Sequence, residues 1–287
     1  MRHLYQCPMR WADLDLLGHV NNVVYVDYLQ EARVDMMRSH GPAIRDEAGD
    51  GLAEGVVVVR HEVSYQAPLN FRLRPISIEC WVTEIRAASF TMAYEVFDET
   101  PEGRVVHLRA STVLTPYVFA NERPRRLTPS EKQALAVFKE EPLPQSAKIP
   151  PVDPWDPGHY ALQVRFSDVD VYGHVNNVKY FEYLQEARVP MMSRVARDLP
   201  GVEALHVVVA QTDVDYRRPI LLRAAPYDIH SRITHVGRKS FTIASEIRDG
   251  DELLARARVV LVCFDSATQR SVEPPPAYRD AMMAVVA

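Results

Sequence analysis

No apolar run in the 287-residue chain approaches the roughly 18 residues that mark a membrane-spanning helix, which argues against a transmembrane segment. The opening residues, MRHLYQCPMRWAD, lack the apolar core of a secretory leader, so no signal peptide is expected. The three cysteines (Cys7, Cys80 and Cys263) are far apart, with neither a C-x-x-C pair nor metal-ligand spacing. That usage suits a reducing cytosol better than a disulfide framework and points to a cytoplasmic protein. A net charge of −5 supplies no bulk positive field for nucleic acid or an anionic membrane. Also missing are a G-x-S-x-G nucleophile elbow, a glycine-rich phosphate loop and an H-E-x-x-H helix. Their absence removes the elbow-type serine hydrolases and implies no metal or nucleotide cofactor.

What is present is an internal repeat. Residues 10–38 read RWADLDLLGHVNNVVYVDYLQEARVDMMR and residues 165–193 read RFSDVDVYGHVNNVKYFEYLQEARVPMMS, with 19 of 29 positions identical at a constant offset of 155. The likeness continues at an offset of 151, where Tyr65-Gln66-Ala67-Pro68 matches Tyr216-Arg217-Arg218-Pro219 and Ser89-Phe90-Thr91 matches Ser240-Phe241-Thr242. Residues 139–158 hold six prolines, a density that forbids helix interiors and central strands. The expected organisation is therefore two modules, 1–140 and 159–287, joined by a stiff linker over 141–158.

Within each copy the pattern predicts a short strand into the D-x-D stretch (Met9–Asp15, Gln163–Asp170), then a loop with Gly18 or Gly173. Asn22 or Asn177 stands where a helix cap belongs. Tyr25, Tyr28, Leu29, Ala32 and Met36, and likewise Tyr180, Tyr183, Leu184, Ala187 and Met191, recur at helical spacing and predict one amphipathic helix of about 16 residues per copy. Runs rich in Val, Ile, Thr and aromatics predict four further strands: Val56–Tyr65, Ile76–Ile85, Phe90–Phe97 and Val105–Thr115 in the first copy. Their counterparts are His206–Tyr216, Tyr227–Thr234, Phe241–Ile247 and Leu253–Phe264, and the tails Pro129–Phe138 and Pro276–Val286 read as short helices. One helix against a largely antiparallel sheet is an α+β arrangement.

The stretch D-x-D-x-x-G-H-V-N-N-x-x-Y-x-x-Y-L-Q-E-A-R, present twice, resembles the signature of the hotdog thioesterases, in particular the 4-hydroxybenzoyl-CoA thioesterase and acyl-CoA thioester hydrolase branch. The later Y-x-x-P and S-F-T are similar to that family too. Two copies in one chain look like the double-hotdog arrangement of acyl-acyl-carrier-protein thioesterases. The resemblance implies a long helix wrapped by a curved antiparallel sheet, a pseudo-dimer formed within one chain, room for further homo-oligomerisation, and acyl-CoA or acyl-carrier-protein substrates. It assigns the chemistry to the second Asp of each D-x-D, Asp15 and Asp170. It also suggests that Ser89 and Ser240 face the opposite module's site.

Hydrolysis of a thioester requires a nucleophile at the carbonyl carbon and stabilisation of the developing oxyanion. Asp15 or Asp170 supplies the first, by activating water or by direct attack, and His19 or His174 orients water or donates to the carbonyl. For the second, the helix N-terminal amides around Val20–Val23 and Val175–Val178 are candidates, including those of Asn21, Asn22, Asn176 and Asn177. The bland roles are distinct: Asp13 and Asp168 as loop acceptors paired with Arg10 and Arg165, the four asparagines as caps, the tyrosines as core, and Glu31–Arg33 and Glu186–Arg188 as surface or interface charges. Arg217, Arg218, Arg238 and Lys239 are candidates for the phosphates of CoA or remain solvated charges. Plant-type relatives carry D-x-N-x-H at this point, and here the Asn position holds Leu17 or Tyr172. A mechanism needing that amide does not transfer, and the two sites need not be equivalent. Two alternatives remain: a non-catalytic acyl-thioester sensor or scaffold, and a hotdog enoyl-thioester hydratase, whose D-x-N-P-x-H spacing is one residue longer.

Overall fold

The computed structural model describes residues 1–40, 54–144, 146–197, 199, 206–265 and 267–286. The chain divides into two compact units, Met1–Ser146 and Ala147–Ala287, with the same order of major elements. In the first, β1 (His3–Cys7) leads through a 3-10 turn (Trp11–Asp13) to α1 (Val24–His40). Then come β2 (Glu54–Tyr65), β3 (Ile76–Ile85), β4 (Phe90–Thr100), β5 (Gly103–Val118), the short β6 (Arg123–Pro124) and α2 (Pro129–Ala136). Its sheet runs β1-β3-β4-β5-β2 with every neighbouring pair antiparallel, and β6 pairs with β5.

The second unit repeats this plan. It consists of β7 (His159–Leu162), a 3-10 turn (Phe166–Asp168), α3 (Lys179–Val195), β8 (Val207–Tyr216), β9 (Tyr227–Val236), β10 (Ser240–Asp249), β11 (Glu252–Asp265), β12 (Arg270–Ser271) and α4 (Pro276–Ala284). The sheet order is β7-β9-β10-β11-β8, again antiparallel throughout, with β12 on β11. Each unit is thus one long helix against an antiparallel sheet, the α+β hotdog plan, and the two stand in tandem along the chain. No helix among the described residues is long and apolar enough to cross a membrane.

The helices lie where their apolar periodicity puts them. Helix α1 buries Tyr25, Val26, Tyr28, Leu29, Ala32 and Met36 and packs on β1 and β3. Helix α3 buries Tyr180, Phe181, Tyr183, Leu184, Ala187 and Met191 over β7 and β9. Each large side chain so covered contributes about 1.5–3 kcal/mol as an upper figure, far more than helix propensity over the same stretch. In the second unit this face joins Ile220, Ile229, Ile247 and Ala255 in one cluster and Ile233, Phe241, Ile243 and Leu261 in another.

Three expectations are corrected. The strand expected to run into the D-x-D stretch stops at Cys7 and at Leu162, and the motif itself enters a 3-10 turn. The cause is local: Asp13 accepts the Arg10 N–H at 2.8 Å and Asp168 the Arg165 N–H at 2.9 Å, bonds that compete with a strand ladder. Of the charges expected at a surface or interface, Arg33 is not at the surface: it is buried, its guanidinium 3.5 Å from the Tyr94 hydroxyl. Asn22 and Asn177 are not the capping residues, for the reason given below.

The Pro-rich segment is packed on both sides of residue 145. Trp81 Nε1 donates to the Glu141 carbonyl at 3.2 Å and the Glu140 N–H to the Val82 carbonyl at 2.8 Å, within the first unit. Ile149 and Val152 are buried, the Val152 N–H donates to Glu246 Oε1 at 3.3 Å, and Trp155 packs on the core around Met191 and Ile233, all within the second.

Candidate active site

Each D-x-D loop is organised around its first aspartate. Asp13 is 3% exposed and Asp168 1% exposed. The guanidinium Nε of Arg10 lies 2.9 Å from Asp13, and that of Arg165 lies 3.2 Å from Asp168. Tyr28 donates its hydroxyl to Asp13, and Tyr183 to Asp168 at 2.8 Å. The backbone carbonyls of the same two aspartates accept the N–H of Asn21 and Asn176, both at 2.8 Å. Burial works to raise the pKa of Asp168, but the Arg165 N–H, the Tyr183 hydroxyl and the Arg165 guanidinium outweigh it and hold the carboxyl below its ordinary range. Burial and then the Asp13 carboxylate push the Tyr28 hydroxyl upward, and Tyr183 is raised likewise, so both are donors. These six residues are scaffolding for the loop.

The second aspartates sit differently. Asp15 is half-buried, and its Oδ1 accepts the N–H of Leu17 at 2.8 Å and of His19 at 3.2 Å. Its Oδ2 takes no hydrogen bond among the described residues. In the second unit Asp170 Oδ1 accepts the Tyr172 N–H at 2.9 Å. A tight turn closes each loop: Asp15 N–H to His19 O at 2.8 Å and Gly18 N–H to Asp15 O at 3.1 Å, with the same two distances between Asp170, Gly173 and His174. The turn forces Gly18 to φ +79° and Gly173 to φ +81°, the left-handed region that glycine occupies without steric cost. Each carboxylate is thus aimed through one oxygen, Oδ1. The His19 ring, half-exposed, makes no hydrogen bond among the described residues, which leaves its nitrogens for water or substrate.

The polar bonds just ahead of each helix come from the first asparagine of each pair, while the N-cap position of α3 falls on Val178, whose side chain makes no capping bond. Asn21 Oδ1 accepts the Val23 N–H at 3.3 Å and its carbonyl the Val24 N–H at 2.9 Å. Asn176 does the same for Val178 and Lys179 at the same distances. The helices begin at Val24 and Lys179, one residue later than an Asn22 or Asn177 cap would require. The expected oxyanion donors are narrowed by the same geometry. Val20 N–H is committed to Leu69 O and Val175 N–H to Ile220 O, each at 2.8 Å, and both side chains are buried. With Asn21 and Val23 also occupied, Asn22 N–H is the donor in 20–23 that pairs with no acceptor among the described residues.

A segment of which the sequence marked only Y-x-x-P and the Arg217–Arg218 pair supports each loop. It is the connection after β2 or β8, where His19 bridges Asn70 and His174 bridges Leu221. The Y-x-x-P tyrosines lock it to the helix start: Tyr65 donates to the Asn22 carbonyl at 2.8 Å and Tyr216 to the Asn177 carbonyl at 2.9 Å. The repetition of Y-x-x-P was the signal that could have found this role.

Other expected residues are not brought to the loop of their own unit. Ser89 closes the β3–β4 turn, its carbonyl accepting the Arg86 N–H at 2.8 Å, at the far end of β3 from the connection that bears Asn70. Ser240 holds the equivalent place at the start of β10, bonded to Gly237. Arg217 and Arg218 are exposed and paired with Asp215 at 3.6 Å and Glu252 at 3.2 Å. Arg238 pairs with Glu273 at 2.6 Å, and Lys239 donates to the Ser271 carbonyl at 2.8 Å. Among the described residues, no three His, Cys, Asp or Glu side chains gather as a metal site.

Two hotdog units, each with an aspartate-bearing loop before its helix, define a thioesterase-type protein. The family model described as the thioesterase-like superfamily matches residues 9–155 and 164–282, and the chain belongs to that family. It is 30% identical over 115 residues, 39% of this chain and 86% of the relative, to the long-chain acyl-CoA thioesterase FadM of Escherichia coli. Among solved structures it matches one from Lactobacillus plantarum described as an oleoyl thioesterase, at TM-score 0.74 and 16% identity over 92% of this chain and 97% of that one. It also matches the 12:0-ACP thioesterase of Umbellularia californica, at TM-score 0.67 and 16% identity over 92% and 94%. At that identity the two structures establish the fold.

Proposed function

We propose that this chain hydrolyses acyl-CoA thioesters, with Asp15 and Asp170 as the reacting carboxylates of two sites. The observation that carries the reading is the pair of half-buried aspartates fixed through Oδ1 by backbone amides of their own turns. Such a carboxylate is oriented without being neutralised by a cation, which suits removal of a proton from water or direct attack on the thioester carbonyl. His19 and His174 sit at the far end of the same turns and serve to orient the water or the carbonyl. The Asn22 amide, at the positive end of α1, is the donor offered to the oxyanion in the first unit. The similarity to FadM favours CoA over a carrier protein as the thiol.

The test is thiol release from acyl-CoAs of increasing chain length, with acyl carrier protein esters alongside, for the wild type, Asp15→Asn, Asp170→Asn and the double variant. Loss of a positioned general base costs about 10²–10⁴-fold. Partial losses in each single variant and a dead double variant support two working sites; a large loss in one alone identifies a single working site. A double variant as fast as wild type overturns the reading.

A further inference from the structure

The two units place different side chains beside the same histidine. His19 bridges Asn70 in the first unit and His174 bridges Leu221 in the second, both antiparallel. The register is set by the adjoining bonds, Val20 N–H to Leu69 O and Val175 N–H to Ile220 O, each at 2.8 Å. Each bond joins the residue after the histidine to the residue before its partner. The histidine and its partner are therefore a pair flanked by the ladder bonds, in which facing Cα atoms come within about 4.5 Å and the side chains share a face. The Asn70 carboxamide thus stands next to the His19 ring, and the Leu221 side chain next to that of His174.

The backbone around the two positions is held alike. Leu69 and Ile220, just before them, are buried, and Tyr65 and Tyr216 tie the same connection to the helix starts. What differs is the chemistry offered to a ligand. Asn70 is exposed, and its carboxamide bonds no group among the described residues, which leaves one acceptor and two N–H donors unused. Leu221 offers none, yet it is 47% exposed, and Leu222 beside it 46%. In the first unit Phe71, the counterpart of Leu222, is half-buried and meets the Trp11 ring edge-on at 5.3 Å. One rim is therefore amide-bearing and the other apolar, at the same place relative to the aspartate loop.

An acyl chain gains by leaving water, so the half of a thioester that stays at an exposed rim is its thiol arm. In CoA that arm carries amides, each with one N–H and one carbonyl. A carboxamide answers such a group with an acceptor and donors of its own, and a leucine answers neither. We propose that Asn70 determines specificity at the first site by hydrogen-bonding the thiol-arm amide nearest the thioester. The second site, with Leu221 at that position, does not read the arm and accepts thioesters of apolar thiols equally well. This rests on the reading of Asp15 and Asp170 as site residues, and it makes the two halves of the chain differ in substrate range.

The experiment compares two thioesters of one acyl group, with N-acetylcysteamine, which has the amide, and with pentanethiol, which does not. Each rate is divided by that ester's rate of hydrolysis by hydroxide. In Asp170→Asn, which leaves only the first site, kcat/KM for the amide-bearing ester is expected to lead by about 3- to 10-fold, the worth of one neutral hydrogen bond. The lead should lie in KM, since the arm is bound equally before and during the reaction. Adding Asn70→Leu should erase it. In Asp15→Asn the two esters should be nearly equal, and adding Leu221→Asn should create a preference for the amide. A ratio that Asn70→Leu leaves unchanged, or equal ratios at the two sites, overturns the proposal. If neither aspartate variant slows thiol release, the reading of the aspartates fails. The Asn70 contact is then decided by calorimetric binding of an acyl-CoA thioether, which cannot be hydrolysed: weaker binding to Asn70→Leu supports it, and unchanged binding overturns it.

Discussion

Tyr183, on α3, donates its hydroxyl to Asp168 in the 3-10 turn 15 residues earlier, at 2.8 Å, and both groups are buried. The bond ties the helix face to the loop that carries Asp170, and Tyr28 ties α1 to Asp13 in the same way. Removing the hydroxyl strands part of a buried carboxylate. Tyr183→Phe is expected to lower unfolding stability by about 1.5–3 kcal/mol, read from urea denaturation, and to lower the rate of thiol release as the loop loosens. A variant as stable as wild type would show that Arg165 alone satisfies Asp168.

The same carboxylate gives the protein a pH signature. Its folded pKa is depressed, so it adds stability above its unfolded value of about 3.9, and that stability is lost as pH falls through the folded value. Glu131, buried beside Arg125, and Asp98 shift in the same direction. Urea midpoints should hold from neutrality to about pH 5 and decline below pH 4. Asp168→Asn should start lower and converge on wild type in acid. A gap that stays constant down to pH 3 would contradict the linkage.

Gly18 and Gly173 are at positive φ, and a Cβ added to either meets no atom within 4 Å. The cost of Gly18→Ala is therefore backbone strain without a clash, about 1–2 kcal/mol. Asn, which tolerates this region better, should cost less than Ala. Thermal midpoints of Gly18→Ala and Gly18→Asn measure the difference, and thiol release should fall in the same order because the turn aims Asp15. Equal effects of Ala and Asn would point away from strain.

Tyr65→Phe and Tyr216→Phe each remove one bond to a helix-start carbonyl and little buried volume. Stability should drop by about 1 kcal/mol. Activity should drop further than that stability loss explains, since the bonded carbonyls belong to Asn22 and Asn177 beside the loops. Comparing kcat/KM with urea midpoints separates the two effects.

All three cysteines are buried, and burial pushes the Cys7 thiol up to about 12 and raises Cys80 and Cys263 as well. Thiol reagents should leave the folded protein unmodified and active, and react with all three only in denaturant. Stoichiometric labelling under native conditions, followed by mass spectrometry, would contradict this.

The helices and most strands were legible because burial patterns write themselves into period and composition; Ile76–Ile85 and both strands ending at Tyr65 and Tyr216 are where the sequence pattern puts them. The loop was harder. Alternation made the D-x-D stretch read as strand, yet Asp13 and Asp168 bend it by bonding their own backbone, a local bond that periodicity does not register. Two adjacent asparagines are chemically equal as cap candidates, and only the carbonyl of Asp13 holding Asn21 decides which of them bonds the turn ahead of the helix. Arg33 reads as a surface or interface charge because nothing in sequence announces the Tyr94 hydroxyl beside it. Aligning the repeats at the offset of 151 sets Asn70 opposite Leu221, but that each stands beside a site histidine emerges only from the bridges.

The packed segment before β7 decides how this protein can be taken apart. Ile149, Val152 and Trp155 fill core space of the second unit, Val152 shields the Glu246 carboxylate, and a side chain in place of Gly158 would collide with the Ser231 carbonyl. A shortened protein beginning at residue 159 would open its own interior to solvent and expose the carboxylate. One beginning at 147 keeps its plug, because the residues that fill the core of the second unit start at Ile149.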